Sequence, residues 1–275
     1  MPESPELAVS RDRLKKIIEG KTILDASPGL SGRYTAKLPV GFQDFKDDSS
    51  REKFKVEQIS TKGKFMWWKL SSSQKTCYMH CTYGMSAGWF KRPTKHTAFI
   101  FEYDGGDKLF FNDIRHFGTI KFVYSPEEHA KKLASLGPCI LGGGVTPEIF
   151  AENVLKKPGR TIAEALMDQS CVSGIGNYLR AEILFDCRID PWRNVTDLST
   201  KEYVSLCEAT VRIANASYES QGASIKTYRN VDGTKGTTQF DFKVYSCKIC
   251  PSKHQIQRKQ DSNGRMMHWC NICQK

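Results

Sequence analysis

The feature that most constrains the fold lies near the C-terminal end. Two Cys-x2-Cys knuckles, Cys247–Lys248–Ile249–Cys250 and Cys270–Asn271–Ile272–Cys273, are separated by 19 residues. A two-residue gap lets neighbouring thiolates share one tetrahedral ion, and two such knuckles complete four ligands. Four thiolates leave no open coordination position, so the spacing implies one structural zinc ion and no catalytic metal. With Val244, Tyr245, Met267 and Trp269 in strand-like positions, the segment is expected to form a zinc-ribbon β-hairpin pinned at both ends. The bland alternative, four unrelated reduced cysteines, leaves the symmetry unexplained. Cys77, Cys81, Cys139, Cys171, Cys187 and Cys207 stand in apolar surroundings without such pairing and are expected in the core.

Reading paired cysteines as metal ligands presumes a reducing compartment. There is no apolar run of about 18 residues to span a membrane. The N-terminal stretch carries Glu3 and Glu6 and no apolar core, unlike a secretory signal. An intracellular protein is expected, in nucleus, cytoplasm or elsewhere. Lys plus Arg number 41 against 30 Asp plus Glu, a net charge of +11. That excess favours a polyanionic partner, because each neutralised phosphate releases counterions. An unrelated basic protein would show the same balance. Residues 243–275 carry seven Lys/Arg and one acidic residue, Asp261, so the hairpin is expected to touch phosphate.

Upstream, Leu7, Leu14, Ile17 and Ile18 share one helical face and predict a first helix over residues 7–19. Residues 22–124 change to short β-rich runs. Residues 65–70 and 75–80 flank the polar turn 71–73, and residues 97–103 and 108–112 flank Asp104–Gly105–Gly106–Asp107. Short strands at this spacing suggest a sandwich or flattened barrel. Helical signals follow: Thr146–Pro147 opens a helix, and Thr161 with Glu164 and Ser199 with Glu202 form capping boxes. Residues 222–238 read as a Gly/Thr/Lys-rich mobile loop. The class is therefore α+β, in three parts: residues 1–130, 145–238 and 239–275.

Between two of the helices lies Gly174–Ile175–Gly176–Asn177. Its glycines permit close approach of backbone to a ligand, and Asn177 is expected to cap a helix whose N–H groups and dipole suit an anion. An ordinary connection between helices is the competing reading. Basic charge and a zinc hairpin in the same chain tip the balance to phosphate.

Taken together, several separated segments resemble the formamidopyrimidine-DNA glycosylase/endonuclease VIII family, including its Nei-like branch. They are MPESPE at the start, MDQSCVSGIGNYLRAEILF over residues 167–185, and the terminal zinc hairpin. Between them lie Lys62–Gly63–Lys64, Tyr83–Gly84–Met85–Ser86 and Asp113–Ile114–Arg115–His116–Phe117–Gly118, in the order that family shows. The resemblance spans nearly the whole chain. Ser4 departs from the commoner glycine or leucine, while the flanking prolines and glutamates are intact.

The resemblance implies an N-terminal catalytic β-sandwich, a helix-two-turns-helix DNA-binding domain with a lesion-covering loop, and the zinc finger. It also implies a catalytic set of Pro2, Glu3, Glu6, Lys64 and Arg265. Pro2, exposed once Met1 is removed, would attack the damaged nucleotide and form a Schiff base. An α-amine with a pKa of about 7.7–8.0 suits that task. Glu3 would be the acid that protonates the sugar-ring oxygen, with desolvation favouring its protonated form. Glu6 would orient the N-terminal group or help in proton transfer. Taken alone, Pro2 is only a small residue after the initiator, and the two glutamates are helix-start acids. Lys64 matches the family's phosphate-binding lysine, with Lys62 a near neighbour. Arg265 matches the finger arginine whose planar fork grips phosphates flanking the lesion.

Chemistry at the anomeric carbon needs a flipped-out nucleotide. Met85, Arg115 and Phe117 match the family's void-filling positions, although Met85 and Phe117 would also suit a core. Asn177, His96 and Arg160, the last beside Lys156 and Lys157, are further DNA contacts. The expected partner is damaged DNA, met by a monomer without a membrane or nucleotide cofactor. The chain is thus expected to remove oxidised bases, with pyrimidines preferred, and to cleave the strand by β- and δ-elimination. The alternative is a non-catalytic binder of damaged or structured nucleic acid on the same scaffold. Lys226, Tyr228, Arg229 and Asn230 are the expected contacts of the loop.

Overall fold

The computed structural model describes residues 2–29, 31–223, 231, 233 and 240–275. They divide into two compact units: Pro2, Glu6–Leu133, Val231 and Gly233 in one, and Glu3–Pro5, Ala134–Ala223 and residues 240–275 in the other. In chain order the elements of the first part are α1 (Ser4–Ile18), β1 (Thr22–Pro28), α2 (Phe42–Arg51), β2 (Phe54–Lys62), β3 (Phe65–Ser71) and β4 (Thr76–Thr82). There follow β5 (Ala87–Phe90), β6 (Thr97–Tyr103), β7 (Asp107–Asp113), β8 (Thr119–Val123) and α3 (Pro126–Ala134). The rest are α4 (Pro147–Leu155), α5 (Ile162–Met167), α6 (Asn177–Asp186), α7 (Thr200–Glu219), β9 (Gln257–Gln260) and β10 (Met266–Trp269).

The first unit is built on one antiparallel sheet of eight strands in the order β5-β7-β6-β1-β2-β3-β4-β8. Both hairpins expected from turn residues are present, β3 with β4 and β6 with β7. Strand β2 shows how sequence sets the faces. Phe54 and Val56 are buried at period two, then Ile59 follows after an odd step. The step falls at the bulge between Val56 and Gln58, which turns the later residues back to the core. Aromatic side chains from distant strands meet inside. Trp68 of β3 lies 5.1 Å from Trp89 of β5, and Phe122 of β8 stacks at 4.5 Å on Phe45 of α2. The sheet therefore folds over a single core, as the expected sandwich or flattened barrel. Each fully buried large side chain contributes about 1.5–3 kcal/mol.

One helix, α2, falls inside the stretch read as β-rich, and α3 follows just after it. α2 buries Phe42, Phe45 and Ser49, but its sequence FQDFKDDSSR offers only two large apolar residues to signal the turn period. α3 begins at Pro126 and buries only His129.

In the second unit the helix starts lie where local chemistry places them. Thr146 caps α4 with Pro147 in its first turn. Thr161 and Glu164 form a complete capping box on α5, as Ser199 and Glu202 do on α7. Strands β9 and β10 form the C-terminal hairpin. α6 buries every residue from Tyr178 to Leu184, including the charged Arg180 and Glu182.

Candidate active site

The N-terminal end of α6 is an anion site, and its anion is internal. The Glu3 carboxylate accepts hydrogen bonds from the N–H groups of Gly176 (2.6 Å), Tyr178 (2.9 Å) and Leu179 (3.3 Å). Glu3 is buried, and its two carboxylate oxygens take up all three of these donors at the helix start. The glycines are explained by the same contact. A Cβ on Gly176 would stand 2.4 Å from the Glu3 carboxyl carbon, and one on Gly174 only 2.6 Å from the Ser4 Cβ. Ser4 N–H donates to Gly174 O at 3.1 Å, and Gln169 holds the turn through Gly174 N–H and Ile175 O.

This arrangement corrects two expectations. Gly176, not Asn177, is the N-cap of α6, and the Glu3 carboxylate supplies the cap that a glycine cannot. The N–H groups read as phosphate donors are taken by Glu3. The Asn177 side chain instead accepts from Arg180 Nη2 at 3.2 Å.

Arg180 leads to the hairpin tip. Its guanidinium is fully buried and pairs at 2.6 Å with Asp261, which is 1% exposed at its side chain. The other Asp261 oxygen accepts from Asn263 N–H (3.0 Å) and Arg265 N–H (2.9 Å). Burial works against the Asp261 charge, yet Arg180 and these N–H groups hold its carboxyl below the ordinary value. The turn that presents Arg265 to solvent is thus fixed from inside. Beside it is a cavity of about 500 Å³, lined among others by Lys157, Arg160, Gln169, Asn263 and Arg265. Arg160 and Lys157 both pair with Asp168 at 2.8 Å. Glu182 secures the segment leading into the zinc hairpin by accepting from the N–H groups of Lys243, Val244 and Tyr245 at 2.8–3.0 Å.

The metal donor set is close to expectation but not the same. Ligand atoms of Cys250, His254, Cys270 and Cys273 all lie within 4.8 Å of one another. The Cys250 and Cys273 sulfurs are 3.9 Å apart, near the roughly 3.8 Å edge of a tetrahedron with 2.3 Å Zn–S bonds. His254 Nδ1 is 3.3 Å from Cys273 Sγ. Cys247 stands outside this group, its thiol directed at Phe242 O (3.3 Å) and Tyr245 O (3.6 Å). Spacing pointed to Cys247, and the histidine four residues after Cys250 went unread.

In the first unit, Pro2 and Glu6 are buried, and Met1 lies outside the described residues. Lys64 is half-buried in the turn between β2 and β3. Lys62 is distinguished from it by donating to Leu133 O at 2.9 Å. Met85 is half-buried just before β5, while Arg115 and Phe117 are exposed, Phe117 by 53%. The Arg115 guanidinium lies 5.3 Å over the Phe117 ring. His96 is half-buried, 6.4 Å from the His116 ring. A cavity of about 470 Å³ adjoins these loops, lined by residues including Ser86, Phe90, His96, Asn112 and Ile114. Lys226, Tyr228, Arg229 and Asn230 lie outside the described residues.

Comparison with known proteins gives this geometry a family. Residues 1–120 match the formamidopyrimidine-DNA glycosylase N-terminal domain, and residues 136–229 match the H2TH domain of the same glycosylase. The chain belongs to the formamidopyrimidine-DNA glycosylase family. Among its relatives, formamidopyrimidine-DNA glycosylases from Listeria innocua and Shouchella clausii are 31% and 33% identical, each match covering the whole of this chain and at least 99% of the relative. The fold is similar to the MutM (Fpg) protein of Thermus thermophilus, with a TM-score of 0.85, 26% identity, and 99% and 98% of the two chains covered. A Lactococcus lactis Fpg bound to DNA with an abasic site superposes with a TM-score of 0.85 at 23% identity over 99% of each chain. Among the described residues no helix is long and apolar enough to cross a membrane.

Arg180, Asp261, Glu182 and Asp113 escaped the sequence reading. Charged residues inside the otherwise apolar run YLRAEIL were the available signal.

Proposed function

We propose that the chain is a base-excision DNA glycosylase that removes oxidised bases and then cleaves the strand as a lyase. The observation that carries this reading is the seat of Glu3: the residue bonded to Pro2 is clamped by the N–H groups of Gly176, Tyr178 and Leu179 at the start of α6. With Met1 removed, the Pro2 amine attacks C1′ of the damaged nucleotide, the C1′–N bond breaks, and the base leaves with its electron pair and takes a proton from water. An ionised Glu3 takes the proton that the attacking amine gives up and passes it to the ring oxygen as the ring opens, leaving an iminium. Loss of a C2′ proton then breaks the C3′–O bond, and a second elimination breaks C5′–O. Glu6 orients the N-terminus. Lys64, Asn177 and Arg265 hold phosphates, with His96 and Arg160 on the backbone further out. Met85, Arg115 and Phe117 fill the space left by the flipped nucleotide.

The finger fits one zinc ion, which when bound closes the hairpin and takes no part in the chemistry. Cys250, Cys270 and Cys273 supply three donors. His254 is the fourth by position, and Cys247 is the fourth by spacing. Cobalt substitution separates them. A three-thiolate site keeps its charge-transfer intensity in Cys247→Ser, whereas a four-thiolate site loses about a quarter of it.

Oxidised pyrimidines are the proposed lesions, supported by the GNYLRAEILF segment of the Nei-like type. The second reading, formamidopyrimidines, is favoured by the names of the relatives. A panel of duplexes carrying each lesion decides between them. The enzyme reading itself is tested by incubating the zinc-loaded protein, with no other divalent metal added, with duplex DNA holding one abasic site. Cleavage leaving 3′-phosphate ends is expected; tight binding without cleavage would leave only the non-catalytic binder.

A further inference from the structure

We propose that Asp113, at the end of β7, is the positioning residue that locks the two loops bearing Met85, Arg115 and Phe117 into one probe of the duplex. The proposal rests on the void-filling role given to those three side chains. Asp113 is 1% exposed, although the four residues after it are all exposed. Its Oδ1 accepts from Ser86 Oγ at 2.8 Å and from Arg115 N–H at 3.2 Å. Its Oδ2 accepts from Gly118 N–H at 2.6 Å. Ser86 Oγ in turn accepts from Arg115 N–H at 2.9 Å. One carboxylate therefore holds the residue after Met85, the backbone of Arg115 and the residue after Phe117.

The packing around it is close. A Cβ on Gly118 would stand 2.7 Å from Ala87 Cβ, 2.8 Å from Phe111 Cζ and 3.0 Å from Asp113 Oδ2. Between Arg115 and Phe117, His116 is held at φ 58°, a left-handed conformation that a non-glycine residue keeps only when its surroundings impose it. The strand register supplies the other wall, with Asp113 opposite Ala87 on β5. Wedge, arginine and aromatic platform thus share a single hinge-point in the sheet.

An ionised Asp can accept at both oxygens, whereas Asn has nearly the same shape but presents a donor at one of them. Asp113→Asn must then set an N–H group against Gly118 N–H or against the Ser86–Arg115 pair. Loss of a hydrogen bond to a buried charge predicts a fall of about 10- to 100-fold in any step that needs the loops in place.

The test compares a step that requires a base to be turned out with one that does not. Single-turnover base release is measured on duplex DNA carrying the lesion. Strand cleavage is measured at a preformed abasic site in single-stranded DNA. A 2-aminopurine beside the lesion reports unstacking. Asp113→Asn, and more mildly Ser86→Ala, should slow duplex release and abolish the fluorescence rise while leaving single-strand cleavage within about 3-fold, less than 1 kcal/mol. An equal fall on both substrates, or no fall on either, overturns the proposal. Met85→Ala and Phe117→Ala serve as the reference. If they leave duplex release unchanged, the void-filling reading fails and the proposal with it; if they slow it and the Asp113 and Ser86 variants do not, the Asp113 proposal alone is overturned.

Discussion

In the eight-stranded unit the core is held by aromatic packing, and one buried carboxylate, Asp113, serves its functional loops. In the helical unit buried charge does most of the holding. Trp68, Trp89, Phe99 and Phe101 are at most 1% exposed and pack without needing polar partners to set their places. α6, by contrast, receives Glu3 at its N-terminal N–H groups, sends Arg180 to Asp261 at the hairpin tip, and uses Glu182 to hold residues 243–245. The reason lies in what has to be held. Strands satisfy their own backbone through the ladder, but a helix start, a hairpin turn and an irregular connecting segment leave N–H groups unpaired. Buried carboxylates satisfy those groups without regular structure. Specificity of placement in the helical unit therefore comes at the risk of uncompensated charge.

The largest expected effect breaks the comparison at its strongest point. Arg180→Leu leaves Asp261 charged and buried, so urea unfolding should show a loss of about 3–5 kcal/mol. Adding Asp261→Leu should recover most of it, because removing both partners of a buried pair is often near neutral. If the double variant is no better than the single, the ion pair is not what holds the tip.

Next, near-isosteric exchanges should separate the two units. Glu182→Gln replaces one acceptor facing the N–H groups of residues 243–245 with a donor and should cost about 1–3 kcal/mol. Met79→Leu in the sheet core should cost less than about 1.5 kcal/mol, since volume is conserved. Equal losses on calorimetry would erase the distinction.

Acid should expose a smaller difference. Burial, with the nearby His129, Lys121 and Lys132 opposing Glu128, pushes His80 from 6.5 down to about 4. It is neutral in the fold and takes up protons first in the unfolded chain. Its share of stability is thus full above pH 6.5 and is lost as pH falls toward 4. In the helical unit, the Arg193 hydrogen bond holds Glu202 at about 2, so that contribution persists down to about pH 4.5 and fades below it. His80→Gln should therefore flatten the pH 4–6.5 limb of the stability curve in urea titrations. An NMR titration placing His80 near 6.5 would contradict this.

What the sequence revealed follows the same division. The hairpin at Asp104–Gly106 and the capping boxes at Thr161 and Ser199 are local chemistry and were legible from a few residues. The glycines at residues 174–177 point to an anion at this helix start, but the structure places a carboxylate there where the local sequence suggests phosphate. The anion came from Glu3, whose bond to Gly176 spans 173 positions, a separation no local pattern encodes. Arg180 and Asp261 are 81 residues apart and meet only in the folded chain. α2 escaped because two phenylalanines among acids carry too little periodicity, and His254 because cysteine spacing alone already filled four ligand places.

Pro2 and the carboxylate beside it are the centre of the account, and one measurement reaches them directly. The protein is incubated with DNA containing an abasic site, reduced with borohydride, digested and mapped by tandem mass spectrometry. The account predicts an adduct on the peptide that begins at Pro2, sharply reduced in Glu3→Gln. An intact Met1 on the active protein, or an adduct confined to a lysine, would contradict it.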